Sequence, residues 1–118
     1  MAQDIQVYNI PNHLRGDTWV GIPEIIIQTN GQPLSLSGAD ILMQFRKDID
    51  SSVALELSTD NNGIIITDAM NGKLSIPEVL ITMQYGTYKY DLQVTISSGF
   101  VKTYLMGTWK IVADVSHL

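Results

Sequence analysis

Thr87-Tyr88-Lys89-Tyr90-Asp91-Leu92-Gln93-Val94-Thr95-Ile96 is the stretch whose reading decides the fold class. Tyr88, Tyr90, Leu92, Val94 and Ile96 alternate with Lys89, Asp91, Gln93 and Thr95. Successive side chains of a strand point to opposite faces, so this period of two predicts a strand with one buried and one wet face. Working outward, Ser97-Ser98-Gly99 supplies turn residues, and Val101 to Tyr104 runs back as the second arm of a hairpin. Gly107 predicts a bend or bulge before a final strand, with Trp109, Ile111, Ala113 and Val115 on one face and Lys110 and Asp114 on the other. The C-terminal third therefore reads as a β-meander.

Toward the N-terminus the same grammar recurs in shorter pieces. Ile5 to Ile10 predicts a first strand closed by Pro11. Thr18 to Gln28 predicts a longer one interrupted at Gly21 and Pro23, where proline demands a sheet edge or a bulge. Asn30-Gly31 is a tight-turn signal. Ile41, Met43 and Phe45 alternate with Leu42, Gln44 and Arg46, as Val53, Leu55 and Leu57 do with Ala54, Glu56 and Ser58. Asp60-Asn61-Asn62-Gly63 and Asn71-Gly72 flank strands over Ile64 to Thr67 and Lys73 to Ile76. Pro77 to Tyr85 has no clear period; Pro77-Glu78 is suited to open a helical turn, which Gly86 would end.

About seven to nine short antiparallel strands separated by Gly and Asn turns point to an all-β sandwich or barrel. The sandwich is preferred because Ile25-Ile26-Ile27 and Ile64-Ile65-Ile66 are apolar on both faces, which suits inner strands covered by an oligomeric neighbour or a long loop. With 118 residues, no repeat and no low-complexity linker, residues 1–118 are expected to form a single domain.

Composition narrows the function classes. Hydrophobic residues make up 45% and charged ones 16%, a globular profile rather than a disordered one. Seven Lys and Arg against 12 Asp and Glu give a net charge of -5, which repels phosphate backbones and argues against nucleic acid as a partner. The adjacent pair Arg46-Lys47 is neutralised by Asp48 and Asp50. With no cysteine, disulfides, thiolate metal sites and cysteine nucleophiles are excluded. Met1-Ala2-Gln3-Asp4 opens no basic segment and apolar run, and no apolar stretch approaches the 18 or so residues of a membrane span, so neither export by a signal peptide nor a membrane partner is expected.

No pattern of catalytic residues emerges, so no enzyme activity, catalytic residue, cofactor, metal or small-molecule substrate is expected. His13 falls in a predicted loop and His117 is penultimate, neither with a neighbouring ligand pattern. Ser37-Gly38 and Ser98-Gly99 sit where turns are needed, and no G-x-S-x-G elbow or Gly-rich phosphate loop occurs. Asp60-Asn61-Asn62-Gly63 with Asp68 offers oxygen ligands of the kind calcium takes but lacks the alternating order and closing Glu of an EF-hand, and αL turns account for it. Arg15-Gly16-Asp17 spells the tripeptide that integrins recognise, yet the same residues make a turn into the Thr18-Trp19 strand, and the turn is the reading adopted. Tyr85, Tyr88, Tyr90, Tyr104 and Trp109 could build a stacking platform, but Tyr88 and Tyr90 share a face with Leu92 and Val94 and are expected in the core.

Four segments taken together resemble a known family. They are Arg15-Gly16-Asp17-Thr18-Trp19; Pro33-Leu34-Ser35-Leu36-Ser37-Gly38-Ala39 before Met43-Gln44-Phe45-Arg46; Gly86-Thr87-Tyr88-Lys89-Tyr90-Asp91-Leu92-Gln93; and Gly107-Thr108-Trp109-Lys110-Ile111 to Asp114-Val115. The chain resembles small bacteriophage virion proteins, in particular the immunoglobulin-like N-terminal domain of phage baseplate upper proteins. The resemblance implies an immunoglobulin-like sandwich made in the host cytoplasm and mounted on the virion, in the tail, baseplate, fibre-attachment region or head. Its implied partners are other virion proteins, in many copies. In many such proteins the sandwich leads into a fibre shaft, whereas this sequence stops three residues after Val115; an adaptor, connector or decoration module is therefore expected rather than a receptor-binding fibre. The alternative from another class is a carbohydrate-binding β-sandwich module.

Overall fold

A computed structural model of the chain describes residues 6–47 and 51–113. Asp48, Asp50, Asp114, Val115 and His117, and Ile5 of the first expected strand, lie outside the described residues. The protein is an all-β sandwich.

Its larger sheet is built on the predicted meander. β12 (Gly86–Thr95) pairs antiparallel with β13 (Val101–Val112) on one side and β7 (Asp40–Arg46) on the other, and β8 (Leu55–Ser58) adds beyond β7. On the far side of β13 lie β1 (Gln6–Val7) and β2 (Ile10–Leu14), both parallel to it. The smaller sheet has the order β4-β10-β9, from β4 (Ile22–Ile26), β10 (Lys73–Ile76) and β9 (Ile65–Asp68). Two short ladders complete the fold: β3 (Thr18–Trp19) with β11 (Val79–Leu80), and the hairpin of β5 (Gln28–Thr29) with β6 (Gln32–Pro33).

Alternation sets the core. Tyr88, Tyr90, Leu92 and Val94 are buried while Lys89 and Asp91 are exposed, as the period of two requires. They join Ile41, Met43 and Phe45 from β7, Trp109 and Ile111 from β13, and Leu74 and Ile76 from β10. The β3–β11 ladder packs on the larger sheet through aromatic rings: Trp19 of β3 lies 4.7 Å from Trp109, and within the larger sheet Phe45 lies 5.4 Å from Trp109 and 5.3 Å from Tyr90. The Trp109 indole Nε1 donates to the Pro11 carbonyl at 3.0 Å, so the buried ring keeps its one polar atom bonded.

Several expectations are corrected. Thirteen short strands are present among the described residues, more than the seven to nine expected, because glycine, proline and tight crossings break the early ones into two-residue ladders. The first strand does not end at Pro11; the chain kinks over Tyr8 and Asn9, and Pro11 lies inside β2. A sheet edge tolerates the missing N–H there. β1 and β2 run parallel to β13, since the chain enters this sheet from the same end as β13. Thr18 to Gln28 is three strands rather than one, although Pro23 does lie on an edge strand and opposite a register shift. The isoleucine runs belong to β4 and β9, which are edges and not inner strands; Ile26 and Ile65 face outward and are exposed. Pro77 opens no helical turn. The segment instead forms β11 against β3, and Gly86 begins β12. A single helical turn forms at Ala69–Asn71 and closes on Gly72 at φ 69°. Leu55 rather than Val53 begins β8, and Ala113 is exposed beyond the end of β13.

Gly107 has a different role from the one predicted. It pairs regularly with Tyr90, and the bulge falls instead at Tyr104, between the Leu92–Leu105 and Gln93–Thr103 pairs. A Cβ at Gly107 would lie 1.9 Å from the Tyr8 carbonyl oxygen, so glycine is needed for the close crossing of the β1–β2 connection. Tyr90 Oη donates to that same carbonyl, and Tyr8 N–H donates to the Met106 carbonyl at 2.9 Å.

Candidate functional site: a cleft between two sheet edges

The candidate residues with polar chemistry are absorbed by structure. At Arg15-Gly16-Asp17 the chain turns from β2 on the larger sheet into the β3–β11 ladder, with Gly16 at φ 94°. Its amides are held in place: Arg15 N–H donates to the Val112 carbonyl at 2.9 Å, Gly16 N–H to Ile81 at 2.8 Å, and Asp17 N–H to Leu14 at 3.2 Å. His13 lies in β2, paired with Ile111, and not in the expected loop; its ring is tilted against Trp109 at 5.8 Å, and its Nε2 donates to the Asp17 carbonyl at 2.8 Å, which holds the turn closed.

The Asp60 to Asp68 segment is organised as turns. Asn61 Oδ1 accepts from the Ser58 and Gly63 amides at 2.9 and 2.8 Å, and Asn62 takes φ 63°. Asp68 Oδ2 accepts from Asn71 Nδ2 at 2.8 Å. Among the described residues no three His, Asp or Glu side chains converge as metal ligands. No helix there is long and apolar enough to cross a membrane.

No platform forms from the C-terminal aromatics. Tyr88, Tyr90, Tyr104 and Trp109 are buried and only Tyr85, at 64% exposure, is presented to solvent. Burial raises the Tyr90 phenol well above its ordinary range, reinforced by the nearby Tyr8 phenol. Burial also raises Tyr88, and Arg15 partly offsets this. Tyr88 Oη donates to the Gln84 carbonyl at 2.6 Å. Both hydroxyls are thus neutral donors to backbone rather than acid–base groups.

Two concavities are lined by described residues. One, of about 380 Å³, lies at the end of the larger sheet and is lined by Lys47, Ser51, Ser52, Met83, Gln84 and Tyr88. The other, of about 400 Å³, lies between the two sheets where both present an edge. β1 ends the larger sheet's order and β4 the smaller one's, so among the described residues each has one side without a strand partner. Gln6 from β1 and Ile25 and Ile26 from β4 form its walls, with Ile27, Tyr104 and Leu105 below. Asn30 (φ 54°) and Gly31 (φ 78°) form the two-residue turn at its lip, as predicted for this pair. Thr29 Oγ1 and Tyr104 Oη, 3.2 Å apart, tie that hairpin to β13. Open strand edges bordering a concavity are suited to accept an extended segment of another chain, whose backbone can complete their ladders. The sequence hinted at this only through Pro23 and the two-faced isoleucine run.

Comparison with known proteins adds little to this geometry. No family model matches the sequence, and no curated protein matches it. Among solved structures the chain is similar to a family 123 glycoside hydrolase from Clostridium perfringens, described in connection with glycolipid glycan hydrolysis, at 14% identity and a TM-score of 0.36. That likeness takes in 95% of this chain but 24% of the hydrolase, so the chain spans about a quarter of that protein's length.

Proposed function

We propose that this chain is a non-enzymatic structural protein of a bacteriophage virion: an immunoglobulin-like adaptor, connector or decoration module held in many copies by neighbouring virion proteins. The cleft between β1 and β4 is the observation that carries the proposal, because two strand edges that have no strand partner among the described residues border one concavity. The whole-chain resemblance of the Gly86 to Gln93 and Gly107 to Val115 segments to phage baseplate domains points the same way. Repetition around a symmetric particle turns a modest contact per copy into firm attachment.

The test is incorporation of an Ile26→Glu variant. Ile26 is half-exposed at the cleft and sits across from Lys73, so a carboxylate there is compatible with the fold. The proposal expects a variant that melts like wild type but is depleted from gradient-purified particles; undiminished incorporation would count against the cleft as the attachment site.

A carbohydrate-binding module is the second reading, favoured by exposed Tyr85, which follows Gln84 of the concavity that also holds Ser51 and Ser52. A glycan array with and without calcium separates the two, since the virion reading expects no signal on either.

A further inference from the structure

Three Asn-Gly pairs occur in the chain, at 30–31, 62–63 and 71–72, and the fold treats them differently. An asparagine followed by glycine is open to intramolecular attack by the next backbone nitrogen on its side-chain amide carbon, because glycine offers no side chain to obstruct the approach. Whether it reacts depends on that nitrogen being available and on the backbone having room to move.

At Asn71-Gly72 neither condition holds. The Gly72 N–H donates to the Ala69 carbonyl at 3.2 Å, and the Asn71 amide is tethered to Asp68 at 2.8 Å. Gly72 is buried, and a Cβ there would meet the Ile27 and Leu34 carbonyl oxygens at 2.5 and 2.8 Å. At Asn62-Gly63 the Gly63 N–H donates to Asn61 Oδ1 at 2.8 Å, and its Cα is crowded by Leu57 at 3.0 Å from the Cβ position. At Asn30-Gly31 the Gly31 N–H has no acceptor among the described residues, both residues are exposed, and nothing lies within 4 Å of the Gly31 Cβ position.

We propose that Asn30 is a spontaneous deamidation site, selected over the other two pairs by the fold. Solvent hydroxide removes the Gly31 amide proton, and the nitrogen attacks Asn30 Cγ. The N–Cγ bond forms, the Cγ–Nδ2 bond breaks, and ammonia leaves after taking a proton from water. Water then opens the five-membered imide at either carbonyl, giving aspartate or isoaspartate at position 30. Water is the only co-reactant and nothing is oxidised or reduced. Because Gly31 lines the cleft between β1 and β4, the product places a new carboxylate at its lip. Isoaspartate also lengthens the backbone by one carbon inside a turn that the Thr29–Gln32 pair limits to two residues. The proposal does not depend on the virion reading.

The test is peptide mapping by mass spectrometry of the folded protein incubated at mildly alkaline pH, with the urea-unfolded chain as reference. Asn30 should deamidate about tenfold or more faster than Asn62 and Asn71 in the folded protein, the factor corresponding to one net hydrogen bond that must otherwise be broken. In urea the three rates should converge. Asn30→Gly keeps the positive-φ turn and should remove the fast acidic charge variant on ion exchange. Equal rates at the three sites in the folded protein, or an Asn30 that stays intact while its unfolded counterpart reacts, would overturn the proposal.

Discussion

Gly107→Ala places a methyl group where the structure has the Tyr8 backbone. The added Cβ would lie 1.9 Å from the Tyr8 carbonyl oxygen, 2.7 Å from its carbon and 3.1 Å from the Tyr90 ring. Two of these three atoms are main chain, so the β1–β2 connection must lift away from β13. Overpacking of this kind costs about 1–3 kcal/mol. Lifting Tyr8 also breaks its N–H bond to Met106 and strips the acceptor from Tyr90 Oη, a further 1–2 kcal/mol or so for a buried hydroxyl losing its partner. The sum is about 2–5 kcal/mol, which for a chain of 118 residues is a fall in melting temperature of roughly 8–20 °C. Urea titration followed by tryptophan fluorescence reads it well, since Trp109 lies beside the crossing. Gly99→Ala is the control: nothing lies within 4 Å of its Cβ position, and only its positive φ is penalised, by about 1 kcal/mol. A Gly107→Ala protein no less stable than Gly99→Ala would refute the close crossing and restore a simple bend at residue 107.

Other consequences follow from the same packing. Leu92 is fully buried, so Leu92→Ala should cost about 2–5 kcal/mol in a denaturant titration, against under about 0.5 for its wet-face neighbour Gln93→Ala. Tyr90 and Tyr88 have raised folded-state pKa values. Below about pH 10 both phenols are protonated in folded and unfolded chains alike; above it the unfolded chain ionises first, the folded state holds more protons, and stability falls. Tyr90→Phe should flatten that alkaline decline while lowering stability near neutrality by about 0.5–1.5 kcal/mol. Millimolar calcium should leave the melting temperature where EDTA leaves it, since a ligand of the folded state alone would raise it.

The sequence disclosed the fold where periodicity was long and one-sided. Gly86 to Thr95 carries five alternations, and its register against β7 and β13 follows from which face must be buried. It was mute where strands are two residues long, because β3 and β11 exist only through each other and no local pattern encodes a non-local ladder. Gly107 illustrates the limit well. A glycine in a strand pattern announces something unusual, yet bulge and close approach look alike until the crossing chain is placed. The cleft was less legible still. Ile25-Ile26-Ile27 marked a segment apolar on both faces, but β1 was needed to show that two edges border one groove. Arg15-Gly16-Asp17 and Asp60 to Gly63 are turns, as their residue types predict: glycine supplies the positive φ of the first, and the Asn61 side chain accepts the amides of the second.

We propose that the chain is a component of a phage particle, and the most direct test is quantitative mass spectrometry of gradient-purified particles of a phage that carries its gene. The protein should be found in a fixed ratio to the major capsid protein, because closed symmetric assemblies admit only particular copy numbers. That ratio should survive washing in moderate salt, which screens surface charge but leaves apolar contacts and edge pairing intact. Finding the protein in infected-cell lysate but never in purified particles would contradict the account.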